Sequence, residues 1–171
     1  MNVVGNFTRA FLGLVLDTVH CSPLLGKDNG FGKDYVWAGS LESGVQIASH
    51  HHKPLMVIIH KSWCKACKNL KPKFATSPEI QSLSQHFVMV NLVDDEEPES
   101  SSFAPDGTYI PRILFLSPTG KIDGDIINEE GSSQHRYFYS KPEQIAKSMK
   151  KALQKYKHER FDEVPKSNRS K

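Results

Sequence analysis

Cysteine is scarce in this sequence, with three residues in 171. A small domain that depends on disulfide staples carries more pairs, and a chain of this length can bury a core without them. Long apolar runs are also missing. No stretch approaches the roughly 20 residues that span a bilayer, so no membrane span is expected. Nor is one sign of charge in excess: 22 Lys and Arg against 19 Asp and Glu leave a formal net charge of +3. The basic residues gather from Lys141 onward without an accompanying basic-aromatic motif. That pattern reads as a solvated helix face, and no nucleic-acid partner is expected. No internal repeat is present. What remains, 38% hydrophobic and 24% charged residues, suits one soluble domain with one core.

The N-terminus carries a weak secretory-type pattern. Arg9 precedes the apolar residues 10–16, and the small residues Cys21 and Ser22 follow. Signal segments place about 7–15 apolar residues between a basic start and a small-residue cleavage site, and this run is short. Residues 1–33, punctuated by Gly26, Asn29, Gly30 and Gly32, are therefore read as a signal segment or flexible arm. The domain is expected over 34–157, with a polar tail over 158–171.

Within the domain, Leu41, Val45, Ile47 and Ala48 recur at helical spacing behind Ser40, which predicts a helix over 40–49 capped by that serine. Leu55-Met56-Val57-Ile58-Ile59 is a short, β-branched apolar run after Pro54, the pattern of a fully buried strand. His60-Lys61-Ser62-Trp63 follows, and the chain then turns helical from Cys64, with Ala66, Leu70 and Phe74 on one face and Pro72 as a kink. Residues 87–92 and 112–116 read as two further strands. Ser117-Pro118-Thr119-Gly120 reads as a turn, and 122–127 as an antiparallel return strand. Ile145, Met149, Ala152, Leu153 and Tyr156 make 141–156 an amphipathic closing helix. This order is α/β: a parallel βαβ unit, then an antiparallel hairpin, giving a mixed central sheet with helices on both faces.

The two paired cysteines fall where that layout has chemical consequence. Cys64-Lys65-Ala66-Cys67 starts a helix directly after a buried strand. Unpaired N–H groups and the helix dipole there favour an anion, and thiolate is the nucleophilic form. Cys64 is the candidate nucleophile, and Cys67, a turn later, the candidate resolving thiol. Lys65 adds positive charge between them and is expected to make the couple more oxidising. Trp63 can shield the first sulfur while leaving one edge open, or it is an ordinary core aromatic. Ile110-Pro111, just before the third strand, can face the cysteines; a cis bond there exposes a backbone edge for a substrate strand. Other readings of the pair stay open. Zinc wants four ligands, and only His60 and His50-His51-His52 are at hand to join the two sulfurs. A buried inert pair and a local structural disulfide are the remaining ones.

Pro54 through Cys64, Lys71-Pro72-Lys73-Phe74, Phe87 through Leu92 and Gly107 through Leu116 together resemble the thioredoxin superfamily. They resemble more closely the thioredoxin domain-containing protein 12 and anterior gradient family, single-domain proteins of the endoplasmic reticulum lumen. The likeness covers about residues 30–156. It implies a thioredoxin fold and formation, reduction or isomerisation of disulfides in secretory proteins. It implies Cys64 as nucleophile, Cys67 as resolving thiol, Pro111 as the cis-proline, substrate contacts at Trp63, Ile110 and Pro111, and glutathione as redox partner, with no resident cofactor or metal. Two family members carry Ser at the second cysteine position and act as client-binding chaperones, so a binding module with little turnover is the alternative. The sequence departs from the family at Lys65, where the full-pair member has Gly. At Ile58 many thioredoxins bury an acid. The end, Ser167-Asn168-Arg169-Ser170-Lys171, lacks the retention tetrapeptide. The expected location is the endoplasmic reticulum lumen or outside the cell.

Overall fold

A computed structural model describes residues 25–162. The apolar segment 10–16 and Cys21 lie outside them. Three strands form the sheet, β1 (Leu55–His60), β2 (Val88–Val93) and β3 (Arg112–Leu116), in the order β2-β1-β3. β1 runs parallel to β2, with Val57 opposite Val90, and antiparallel to β3, with Ile58 opposite Ile113. A parallel pair needs a long crossover. Here α2 (Lys65–Ala75) and α3 (Pro78–Ser84) supply it. α1 (Leu41–His51) precedes the sheet and α4 (Pro142–Asp162) closes the domain.

The apolar run of β1 is buried on both faces because its side chains alternate between two cores. Met56 and Ile58 join Leu70 and Phe74 of α2 and Ile145, Met149 and Ala152 of α4. Leu55, Val57 and Ile59 join Ala48 of α1 with Val90, Leu92 and Leu114. This is the mixed sheet with helices on both faces that the pattern predicts, a thioredoxin-like fold.

Four expectations need correction. The domain begins before residue 34. Leu25 bridges Ala38, Ala38 N–H donates to Met89 O at 2.8 Å, and Phe31 is fully buried against Phe74 and His60. Residues 25–33 are thus part of the fold, not an arm. The closing helix continues to Asp162, past the expected boundary at 157. The return strand over 122–127 reduces to one bridge, Leu116 with Ile122. Asp123 stops it: its carboxylate accepts the Asp125 N–H at 3.0 Å and the Tyr156 hydroxyl at 2.7 Å, turning the chain toward α4. Finally, α3 was not expected. Ser77 caps it and Pro78 opens it, the usual residues for those positions, but Ile80 is its one buried residue.

Candidate active site

β1 carries the chain from the sheet centre to His60, and a three-residue loop then delivers Cys64 to the N-cap of α2. The loop is held from outside. Asp94 Oδ1 accepts the Ser62 N–H at 2.8 Å, and Lys61 Nζ donates to Asp94 O at 2.6 Å. The Cys64 N–H donates to Lys61 O at 3.2 Å, and its carbonyl accepts the Lys68 N–H at 3.0 Å as the helix begins. The Ser62 N–H and the Lys61 charge hold the Asp94 carboxyl below its ordinary range.

The sulfur of Cys64 does the capping. It accepts the Cys67 N–H at 3.3 Å, meeting one of the helix's unpaired donors. On its other side the thiol lies 3.8 Å from Ile110 O. The Ile110-Pro111 bond is cis, as the family resemblance implies. The Cys64 sulfur therefore stands between the Cys67 amide and the Ile110 carbonyl beside cis-Pro111. Both cysteines are free thiols, Cys64 with 7% of its surface exposed and Cys67 with none. Burial, then the hydrogen bond with Cys64, pushes the Cys67 thiol up to about 12. Trp63 is 72% exposed and so is not a core aromatic; it stands open beside the pair.

Among the described residues no group of three or more His, Cys, Asp or Glu converges to hold a metal ion. His50 and His51 meet edge to face in the last turn of α1. His60 is buried beside Phe31 with Nε2 at 3.4 Å from Asn91 Oδ1. Burial and the nearby Lys71 charge lower its pKa to about 4, so the imidazole is neutral at neutral pH. No helix among the described residues is long and apolar enough to cross a membrane.

The sequence pattern did not reveal the polar frame beside these residues. Arg112, first residue of β3, is 1% exposed. Its Nε donates to Phe103 O at 3.1 Å, Nη1 to Tyr109 O at 2.6 Å and Nη2 to the Glu97 carboxylate. The other Glu97 oxygen pairs with Lys61 Nζ at 2.7 Å. Burial works to raise the Glu97 pKa, but the Lys61 and Arg112 hydrogen bonds outweigh it and hold the group ionised below its ordinary range. The signals were a cation opening an apolar strand and an acidic run directly after β2.

Residues 36–118 match the thioredoxin-like family. The chain is 37% identical to anterior gradient protein 3 of Mus musculus over 125 residues, 72% of this chain and 74% of that one. It is 33% identical to the anterior gradient protein 2 homolog of Homo sapiens over 149 residues, 86% of this chain and 84% of that one. Among solved structures it is similar in fold to a thioredoxin from Thermus thermophilus, with a TM-score of 0.50 and 18% identity over 77% of this chain and 95% of that one. By these likenesses over most of its length, the chain belongs to the anterior gradient family of thioredoxin-like proteins.

Proposed function

We propose that this protein is a thiol-disulfide oxidoreductase acting on protein disulfides of the secretory pathway, in the endoplasmic reticulum lumen or outside the cell. The observation that carries the reading is the Cys64 sulfur, capping α2 and lying 3.8 Å from Ile110 O. One catalytic thiol and one substrate-pairing edge thereby lie side by side. Within the family we place the chain with the redox-active member, thioredoxin domain-containing protein 12, because it keeps both cysteines.

Cys64 is the nucleophile. As a thiolate it attacks one sulfur of a client disulfide; a Cys64–client bond forms and the other client sulfur leaves as a thiolate. Cys67 then loses its proton and attacks the Cys64 sulfur, forming the Cys64–Cys67 disulfide and releasing the second client thiol. The client gains two electrons and the pair loses them. Two glutathione thiols restore the dithiol and leave as glutathione disulfide. Run backward, the same steps oxidise a client. Trp63 offers an apolar face to the client, and Ile110 and Pro111 offer the strand edge. Lys65 sets the redox poise. No metal or resident cofactor takes part.

The test is insulin-disulfide reduction with glutathione as the electron source. Cys64→Ser is expected to abolish turnover. Cys67→Ser is expected to stop turnover while trapping a client mixed disulfide, visible on a non-reducing gel. The exposed Trp63 favours a second reading, a client-binding module with little turnover. A wild-type chain that protects clients from aggregation yet reduces none, with Cys67→Ser protecting equally well, selects it.

A further inference from the structure

We infer that Arg112, Glu97 and Lys61 form a bridge that sets the spacing between the Cys64 sulfur and the Ile110 carbonyl edge, with Arg112 as its central positioning residue. The inference rests on the thiol-disulfide reading of Cys64 and Cys67, and it adds three residues to that site.

The two walls of the site are far apart along the chain, with Cys64 and Ile110 46 residues distant. One wall is the loop from Lys61 to Cys64. The other is the segment from Tyr109 to Pro111, just before β3. Pairing of Ile59 with Arg112 aligns the strands below them, but both walls are irregular backbone beyond the strand ends. Such backbone keeps its place only where something holds it.

The bridge does so. Arg112 lies inside the protein, where an aliphatic side chain would pack at lower electrostatic cost. Its guanidinium instead grips two carbonyls, Phe103 O at 3.1 Å and, in the second wall, Tyr109 O at 2.6 Å. Tyr109 is the residue directly before Ile110. The remaining arm of the fork meets Glu97. Glu97 takes Lys61 Nζ at 2.7 Å with its other oxygen, and Lys61 O takes the Cys64 N–H at 3.2 Å. Lys61 Nζ is also tied to Asp94 O at 2.6 Å, and Asp94 Oδ1 to the Ser62 N–H at 2.8 Å. The connection therefore runs unbroken from the carbonyl beside Ile110 to the amide of Cys64. A planar fork with several fixed donors is what such a three-way hold requires, and lysine does not reproduce it.

A peptide disulfide must pair with the Ile110 edge and present its sulfur to Cys64 at once. A small disulfide without peptide groups needs the sulfur alone. Loss of the bridge is thus expected to penalise the peptide selectively. The experiment uses the full chain, reduced, with Glu97→Gln and Arg112→Lys made separately. Stopped-flow rate constants are measured against a peptide disulfide and against uncharged bis(2-hydroxyethyl) disulfide. Misplacement of reacting groups by about 1 Å can cost about 100-fold in rate, so a slackened bridge is expected to lower the peptide-to-small-disulfide ratio about tenfold. Glu97→Gln keeps the side-chain shape at a half-buried position, so the test stands even if the buried Arg112→Lys change prevents folding. A purely structural role lowers the melting temperature without moving the ratio. An unchanged ratio in a folded Glu97→Gln chain overturns the inference alone. A wild-type chain that exchanges with neither disulfide overturns the oxidoreductase reading and the inference with it.

Discussion

Replacing His60 with Phe is expected to abolish most of the stability loss that this protein suffers on mild acidification. The imidazole is fully buried. Its Nε2 lies 3.4 Å from Asn91 Oδ1, and Nδ1 has no hydrogen-bond partner among the described residues. Burial acts first and the Lys71 charge second; together they outweigh Asn91, Asp94 and Glu96 and lower the pKa from 6.5 to about 4. The unfolded chain therefore binds this proton below pH 6.5, and the folded chain only near pH 4. Stability is fully present above the higher value, declines as pH falls between the two, and levels off below the lower one. The slope of about 1.4 kcal/mol per pH unit gives a loss of about 2 kcal/mol between pH 7 and pH 5. Across the whole window it reaches about 3 kcal/mol. Asp94, Glu97 and Asp123, all held below the ordinary carboxylate range, add losses mainly at lower pH. Phe suits the site because Phe31 already meets this ring at 5.0 Å and 65°. Asn91 Oδ1 is not orphaned by the change, since Asn29 donates to it at 2.6 Å. The assay is urea unfolding under reducing conditions at the two pH values. A His60→Phe chain that loses as much stability as the parent between them refutes the argument.

Two further predictions test the frame. Phe31→Ala is expected to cost about 3–5 kcal/mol in urea unfolding, the usual range for a large aromatic removed from a core; a cost under about 1 kcal/mol would show that residues 25–33 do not belong to the domain. Tyr156→Phe deletes the hydroxyl that donates to the buried Asp123 carboxylate at 2.7 Å, and a cost of about 1.5–3 kcal/mol is expected because the acceptor is charged. Thermal melts of the two chains read this second effect, and a melting temperature equal to the parent's removes the staple between α4 and the loop after β3.

The strands were legible because their signal is local. Arg112–Leu116 coincides with the expected third strand. β1 differs by one residue, His60, whose polarity looked like a strand end although Phe31 and Asn91 enclose it. The helix capped by Ser40 was legible for the same reason; its Ser43 N–H meets the Ser40 hydroxyl as the capping pattern requires. What the pattern concealed depends on distant partners. Glycine and asparagine made residues 25–33 look like a linker, but Asn29 reaches Asn91, 62 residues on. The return strand after Gly120 failed because α4 supplies Tyr156 and Lys155 to Asp123. At the site, Cys64-x-x-Cys67 and Ile110-Pro111 are contiguous motifs and could be found. The ion pair of Arg112 with Glu97 spans 15 residues, and no spacing rule points from one to the other.

On the proposed chemistry, the placement of the second thiol makes the order of events follow from the geometry. Cys67 is held at about 12 by burial first, then by its hydrogen bond with Cys64 and by the Cys64 charge. Of these, burial persists through the reaction. The other two belong to a free Cys64 sulfur and vanish once that sulfur is bonded to a client. Forming the mixed disulfide therefore removes two of the influences that keep Cys67 protonated, while Lys71 and the Lys61 backbone continue to favour its anion. The resolving thiol becomes easier to ionise only after the first attack has succeeded. Before that step it is a buried, protonated group that competes neither for the client nor for the helix N–H, which already serves Cys64 at 3.3 Å. A pair of equally exposed thiols would lack this ordering, because either sulfur could begin the exchange and neither would be reserved to finish it.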